Sequence, residues 1–146
     1  MIIYKTLDEI KKINKANEII IKLYSEVLPK YVKAGISTYE LDQITEDFIR
    51  SNGAIPGTKG YEIGKPYPAY PASLCTSVNN RVVHGIPTKT EILKNGDIIS
   101  LDTVTVLDGF YGDAAITLPV GEIDENAKKL LEVTEKAREI GIAQAV

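Results

Sequence analysis

Apolar residues recur at helical spacing near the start of the chain and at strand spacing through its middle. Thr6-Leu7-Asp8-Glu9 is a capping box, and Ile10, Ile13, Ile20, Leu23, Val27 and Tyr31 follow on one helical face. Pro29 interrupts or ends that helix near its last turn, and Lys11, Lys12 and Lys15 form its wet face. Ser37-Thr38-Tyr39-Glu40 is a second capping box. It opens a helix through Leu41, Ile44, Phe48 and Ile49 that Gly53 closes, so residues 6–53 read as two helices. From Pro56 to Pro71 the chain holds four of its seven prolines together with Gly57, Gly60, Gly64, Tyr61, Tyr67 and Tyr70. Residues 54–71 are therefore expected to form an ordered, wandering loop.

Strand alternation resumes at Ala72 and continues to Gly121. Ser73 to Val78 and Arg81 to Ile86 read as partners around Asn79-Asn80, two residues that tolerate the left-handed region, which would set Cys75 directly opposite His84. Gly96-Asp97 then leads into a strand from Ile98 to Val106. A last helix starts at Asp124, carries Leu130, Val133, Ala137 and Ile140, and has no stop signal, so 124–146 reads as a connecting helix with an apolar tail that should pack onto something.

Asp108-Gly109 between alternating residues is a strong hairpin signal, because a type I′ turn needs positive φ at both central positions. In that register Leu107 pairs with Phe110, Val104 with Asp113, and Asp102 with Ala115. Asp102 and Asp113 then become diagonal neighbours on one face, roughly 7–8 Å apart at the backbone. Like charges this close repel unless water screens them or a cation sits between them, and converging carboxylates are hard oxygen ligands for divalent metals. The pattern also describes an ordinary hairpin with two solvated acids on its outer face.

Composition excludes several classes. The 146 residues are one domain's worth, with 44% hydrophobic and 25% charged content, and a net charge of −3 offers no electrostatic footprint for nucleic acid or an anionic membrane. No apolar run approaches a membrane span, and no signal-peptide layout opens the chain. One cysteine, Cys75, excludes an internal disulfide and fits a reducing compartment, so a cytoplasmic location is expected. His84 is the sole histidine, which rules out a two-histidine metal site within these residues. It lies in Val83-His84-Gly85-Ile86-Pro87, a cramped turn with one polar group that suits substrate contact. Facing Cys75, it would also fit a thiolate nucleophile with a base beside it, but that reading leaves both aspartates unexplained.

The run YPASLCTSVNNRVVHGIP from Tyr70 to Pro87, followed by NGDIISLDTVTVLDGFYGDAA from Asn95 to Ala115, resembles type I methionine aminopeptidase, a member of the pita-bread metallopeptidases. The likeness runs from the first helix onward. It implies an α+β fold, the first half of a pita-bread domain with an antiparallel sheet and helices packed on one face, spanning 1–146 as a single partial domain. It implies two divalent metal ions (Co, Mn, Fe or Zn), with Asp102 chelating one and Asp113 bridging both. By the same resemblance His84 is the catalytic residue, contacting the substrate and stabilising the reacting amide, while Tyr67, Tyr70 and Cys75 line a pocket for the methionine side chain. The implied substrate is the N-terminus of a peptide or of a nascent chain near the ribosome, and the implied full-length protein is a monomer.

Asn80 stands where the family pattern usually has an acid, and Gly64 where some relatives have a pocket residue. The family's second half supplies a histidine and two glutamates, one the general base, that these residues do not contain. Two of four metal-neutralising carboxylates are present, so the chain alone is expected to bind metal weakly and to lack turnover. A peptidase cleaving before proline and a non-catalytic binding module of the same fold are the alternatives.

Overall fold

The hairpin centred on Asp108-Gly109 organises the molecule. In the computed structural model, which describes residues 2–62 and 64–145, β3 (Ile98–Leu107) and β4 (Phe110–Pro119) pair antiparallel, with φ +52° at Asp108 and +79° at Gly109. Leu107 faces Phe110, Val104 faces Asp113 and Asp102 faces Ala115, the register that the turn predicts. The other edge of β3 is shared: β2 (Cys75–Val78) pairs with it from Ile99 to Asp102, and the short β1 (Ile55–Pro56) at Thr105 and Val106. Met1, Ile63 and Val146 belong to the expected 1–146 span, loop and tail, and lie outside the described residues.

Period-two burial fixes the two faces of the sheet. Ile99, Leu101, Thr103 and Thr105 are buried, while Ser100, Asp102 and Val104 between them stay partly open. The buried face lies under α1 (Leu7–Lys22) and α2 (Thr38–Ser51), both begun by complete capping boxes at Thr6/Glu9 and Ser37/Glu40. Ile20, Leu23, Leu28, Leu41, Leu74, Leu93, Ile99, Leu101 and Val120 form the core between them. Thr105 Oγ1 donates to the Ala16 carbonyl at 2.8 Å, and a Cβ on Gly112 would come 2.6 Å from the Ala16 carbonyl carbon. Helix α1 can therefore rest directly on the backbone of β4. Tyr24 satisfies its buried hydroxyl on the Ala114 carbonyl at 2.9 Å and the Leu101 carbonyl at 3.0 Å, across both arms of the hairpin.

The first helix does not simply stop at Pro29. After Lys22 it widens into a π-turn over Leu23–Val27 and then tightens into a 3₁₀ turn at Leu28–Lys30. Proline has no N–H to give and its ring crowds the carbonyl four residues back, so the ladder changes pitch ahead of it.

Arg81 to Ile86 do not form the strand expected from alternation, and Cys75 pairs with Asp102 of β3 rather than with His84. Asn79 does take the left-handed region, at φ +52°, but its turn is used differently. Its side chain accepts the Ile98 N–H at 3.0 Å and donates to Asp97 at 2.8 Å, tying the end of β2 to β3. Arg81 then bends back to place its guanidinium 3.3 Å from the Thr76 carbonyl, and His84 leaves the extended region at φ +57°. A ladder cannot propagate through those two departures.

Helix α3 (Glu125–Ala143) begins at the Asp124 cap and has no buried residue; Ile140 and Ile142 of the expected packing tail are exposed. No helix among the described residues is long and apolar enough to cross a membrane.

Candidate metal and substrate site

Strand geometry brings the two aspartates together. Asp102 and Asp113 sit on the face of the hairpin turned away from α1 and α2, two pairs apart in register, so their carboxylates share a side of the sheet. The β2–β3 register adds Cys75 to the same row, directly across from Asp102. Gly57 donates its N–H to the Val104 carbonyl at 2.7 Å, and a Cβ there would lie 2.8 Å from the Val104 side chain. Glycine lets the 54–71 loop descend onto the sheet at this point, and the loop then rises as a wall.

The result is a cavity of about 650 Å³ with Asp102 and Asp113 at its base. His84, Tyr67, Tyr70 and Cys75 all border it, as do Tyr61 and Tyr111, which the sequence reading did not single out. Volume and lining suit a small apolar side chain beside a polar floor. Tyr67 is 65% exposed at the rim, whereas Tyr70 is half-buried with its hydroxyl fixed on the Gly85 carbonyl at 2.7 Å. Within the loop, Gly60 donates to the Tyr70 carbonyl and Tyr70 to the Tyr61 carbonyl, so the tyrosine wall is closed on itself.

Electrostatically the floor is an unneutralised acid pair. Burial pushes the Asp102 carboxyl above its usual range, the Asp113 charge pushes it further, and His84 opposes both. Among the described residues no ion pair reaches either aspartate. Two carboxylates facing one cavity without a cationic partner are a donor set that fits hard divalent ions. They are an incomplete one, since no group of three or more histidine, cysteine or acidic side chains among the described residues could close a coordination shell.

Cys75 is 5% exposed and its thiol is pushed up by burial, with Asp102 and Asp113 adding to the shift and the nearby Tyr70 hydroxyl opposing it. A thiol held neutral, paired across from an acid instead of a histidine, is a poor nucleophile. Neither observation favours the cysteine-enzyme reading.

The profile of metallopeptidase family M24 matches residues 11–146. The chain belongs to metallopeptidase family M24. Among its M24 relatives, methionine aminopeptidase 1 of Bacillus subtilis (strain 168) is 48% identical over 145 residues, which are 99% of this chain and 55% of that protein. The crystal structure of the methionine aminopeptidase of Thermotoga maritima superposes with a TM-score of 0.83 at 36% identity, covering 93% of this chain and 52% of that one. A more distant fold neighbour, the prolidase from Pyrococcus furiosus, gives a TM-score of 0.75 at 22% identity over 92% of this chain and 36% of its own. The architecture is thus the α+β half of the pita-bread fold found in M24 enzymes. The chain spans about half the length of the curated relatives it matches.

Proposed function

We propose that these residues are the first half of the catalytic domain of a cytoplasmic, monomeric methionyl aminopeptidase, spanning 1–146 as one partial domain, that removes the initiator methionine from peptides and from nascent chains near the ribosome. The observation that carries this reading is the single cavity bordered by Asp102, Asp113, His84, Tyr67, Tyr70 and Cys75. Identity near half over almost the whole chain to enzymes named methionine aminopeptidase supports it, against 22% to the prolidase.

In this reading Asp102 and Asp113 would hold two divalent ions, Co, Mn, Fe or Zn, which would supply Lewis-acid activation of the scissile carbonyl and of water. A free N-terminal amine would offer its lone pair to such an ion, which an acylated nitrogen would not, so a free N-terminus is required. His84, exposed at the cavity rim, contacts the peptide and hydrogen-bonds the reacting amide. Cys75 and the Tyr67 and Tyr70 rings exclude water around an unbranched thioether. Because the 146 residues carry two of the metal carboxylates and no general base, they bind metal weakly and give no turnover by themselves.

Substrate competition on the full-length enzyme tests the assignment. A methionyl tripeptide should be cleaved, its N-acetylated form should not, and a Xaa-Pro dipeptide should be poor. Preferential cleavage before proline would overturn the methionyl reading in favour of the prolidase-like one.

A further inference from the structure

His84 holds a left-handed backbone at φ +57°. That conformation is strained for a residue bearing a Cβ, and it persists only where the surroundings impose it. Here they can be named. The next residue, Gly85, is buried, and its N–H donates to Ser77 Oγ at 3.2 Å. Its carbonyl accepts from the Thr76 N–H at 2.8 Å and from the Tyr70 hydroxyl at 2.7 Å. A Cβ on Gly85 would lie 1.9 Å from the Thr76 carbonyl oxygen, so the turn is pressed onto β2 with no slack. The Gly85 N–H belongs to the peptide plane that follows His84. Fixing it on Ser77 fixes ψ of the histidine, and fixing the Gly85 carbonyl on Tyr70 holds the turn against the pocket wall.

We propose that Tyr70 and Ser77 are positioning residues whose hydroxyls, both bonded to the Gly85 backbone, hold His84 in its strained conformation and so present its side chain to the cavity floored by Asp102. The inference rests on the substrate-contacting role proposed for His84. Tyr70 then serves twice: its ring borders the pocket, and its hydroxyl braces the histidine turn. A side chain seated against that ring packs on the residue that aims His84.

Tyr70→Phe and Ser77→Ala in the full-length enzyme separate the two roles, because the phenylalanine keeps the wall and loses only the hydroxyl, which bonds the Gly85 carbonyl at 2.7 Å and the Leu74 carbonyl at 3.3 Å. Each variant should lower kcat about tenfold while KM for a methionyl tripeptide moves less than about twofold. The double variant should lose less than the product of the two, since both act through one peptide group. Amide hydrogen exchange gives a readout that does not depend on turnover: the Gly85 N–H should exchange at least about tenfold faster in Ser77→Ala, and Ser77→Thr, which keeps the hydroxyl, should restore protection. Unchanged kcat in both single variants, an effect confined to KM, or unchanged Gly85 exchange in Ser77→Ala would each overturn the brace. A wild-type enzyme that leaves methionyl peptides intact while Gly85 exchange responds as expected would instead sink the functional reading and support the brace.

Discussion

The carboxylate of Asp42 on α2 accepts the amide hydrogen of Leu74 at 2.9 Å, thirty-two residues further along the chain. The same oxygen accepts the Ser73 N–H at 2.8 Å, so one buried acid caps the backbone just where it leaves the loop and enters β2 beside Cys75. Burial pushes the Asp42 carboxyl up while these two amides pull it down. Removing the acceptor strands both donors away from water. Asp42→Ala should therefore destabilise the fold by about 2–4 kcal/mol, and Asp42→Asn, which keeps an oxygen in place, by distinctly less. Equilibrium denaturation of the two variants beside wild type checks the ordering; equal losses would mean that the carboxylate's acceptor role is not what matters.

One turn further along α2, Glu46 takes Lys59 at 2.7 Å, Arg50 at 2.8 Å and the Ser73 hydroxyl at 3.0 Å. The Lys59 bond chiefly, then Arg50 and Ser73, hold its carboxyl down at about 2. A folded-state value below the unfolded one places the stabilisation above the unfolded value near 4.5, and it is lost as pH falls from there through about 2. Lys59 is partly exposed, which limits the contribution to about 1 kcal/mol. Stability of Glu46→Gln should thus fall below wild type at pH 7 and converge with it near pH 2. A gap that does not change with pH would contradict the assignment.

Much of the site could be read from local sequence, because the relevant contacts are local. Asp108-Gly109 sets the hairpin register, and the register alone places Asp102 and Asp113 on one face. The capping boxes at Thr6 and Ser37 are likewise settled within four residues. Arg81 to Ile86 misled because alternation cannot reveal that Asn79 turns toward Ile98 or that His84 leaves the extended region. Asp42 and Glu46 were missed because their partners lie across the fold. A signal existed: Asp42 interrupts the buried stripe of Thr38, Leu41, Thr45 and Ile49, where an acid needs a partner.

Cys75 borders the cavity while pairing with Asp102, so enlarging its side chain should change the pocket more than the proposed metal ligands. In the full-length enzyme Cys75→Leu should raise KM for methionyl peptides about tenfold or more, with bound metal per protein changing little. Metal analysis alongside steady-state kinetics separates the two effects. Loss of metal with unchanged KM would place Cys75 outside the methionine pocket.

In the function proposed above, Asp102 and Asp113 together hold the divalent ions on which peptide hydrolysis depends. The most direct test of that role is methionine release from a methionyl tripeptide by the metal-stripped full-length protein, titrated with Mn²⁺ or Co²⁺, for wild type, Asp102→Asn and Asp113→Asn. Wild type should be active only after metal is added, and both variants should fall by at least about a thousandfold, each with weakened metal binding. Metal-restored activity near the wild-type level in Asp113→Asn would contradict that role.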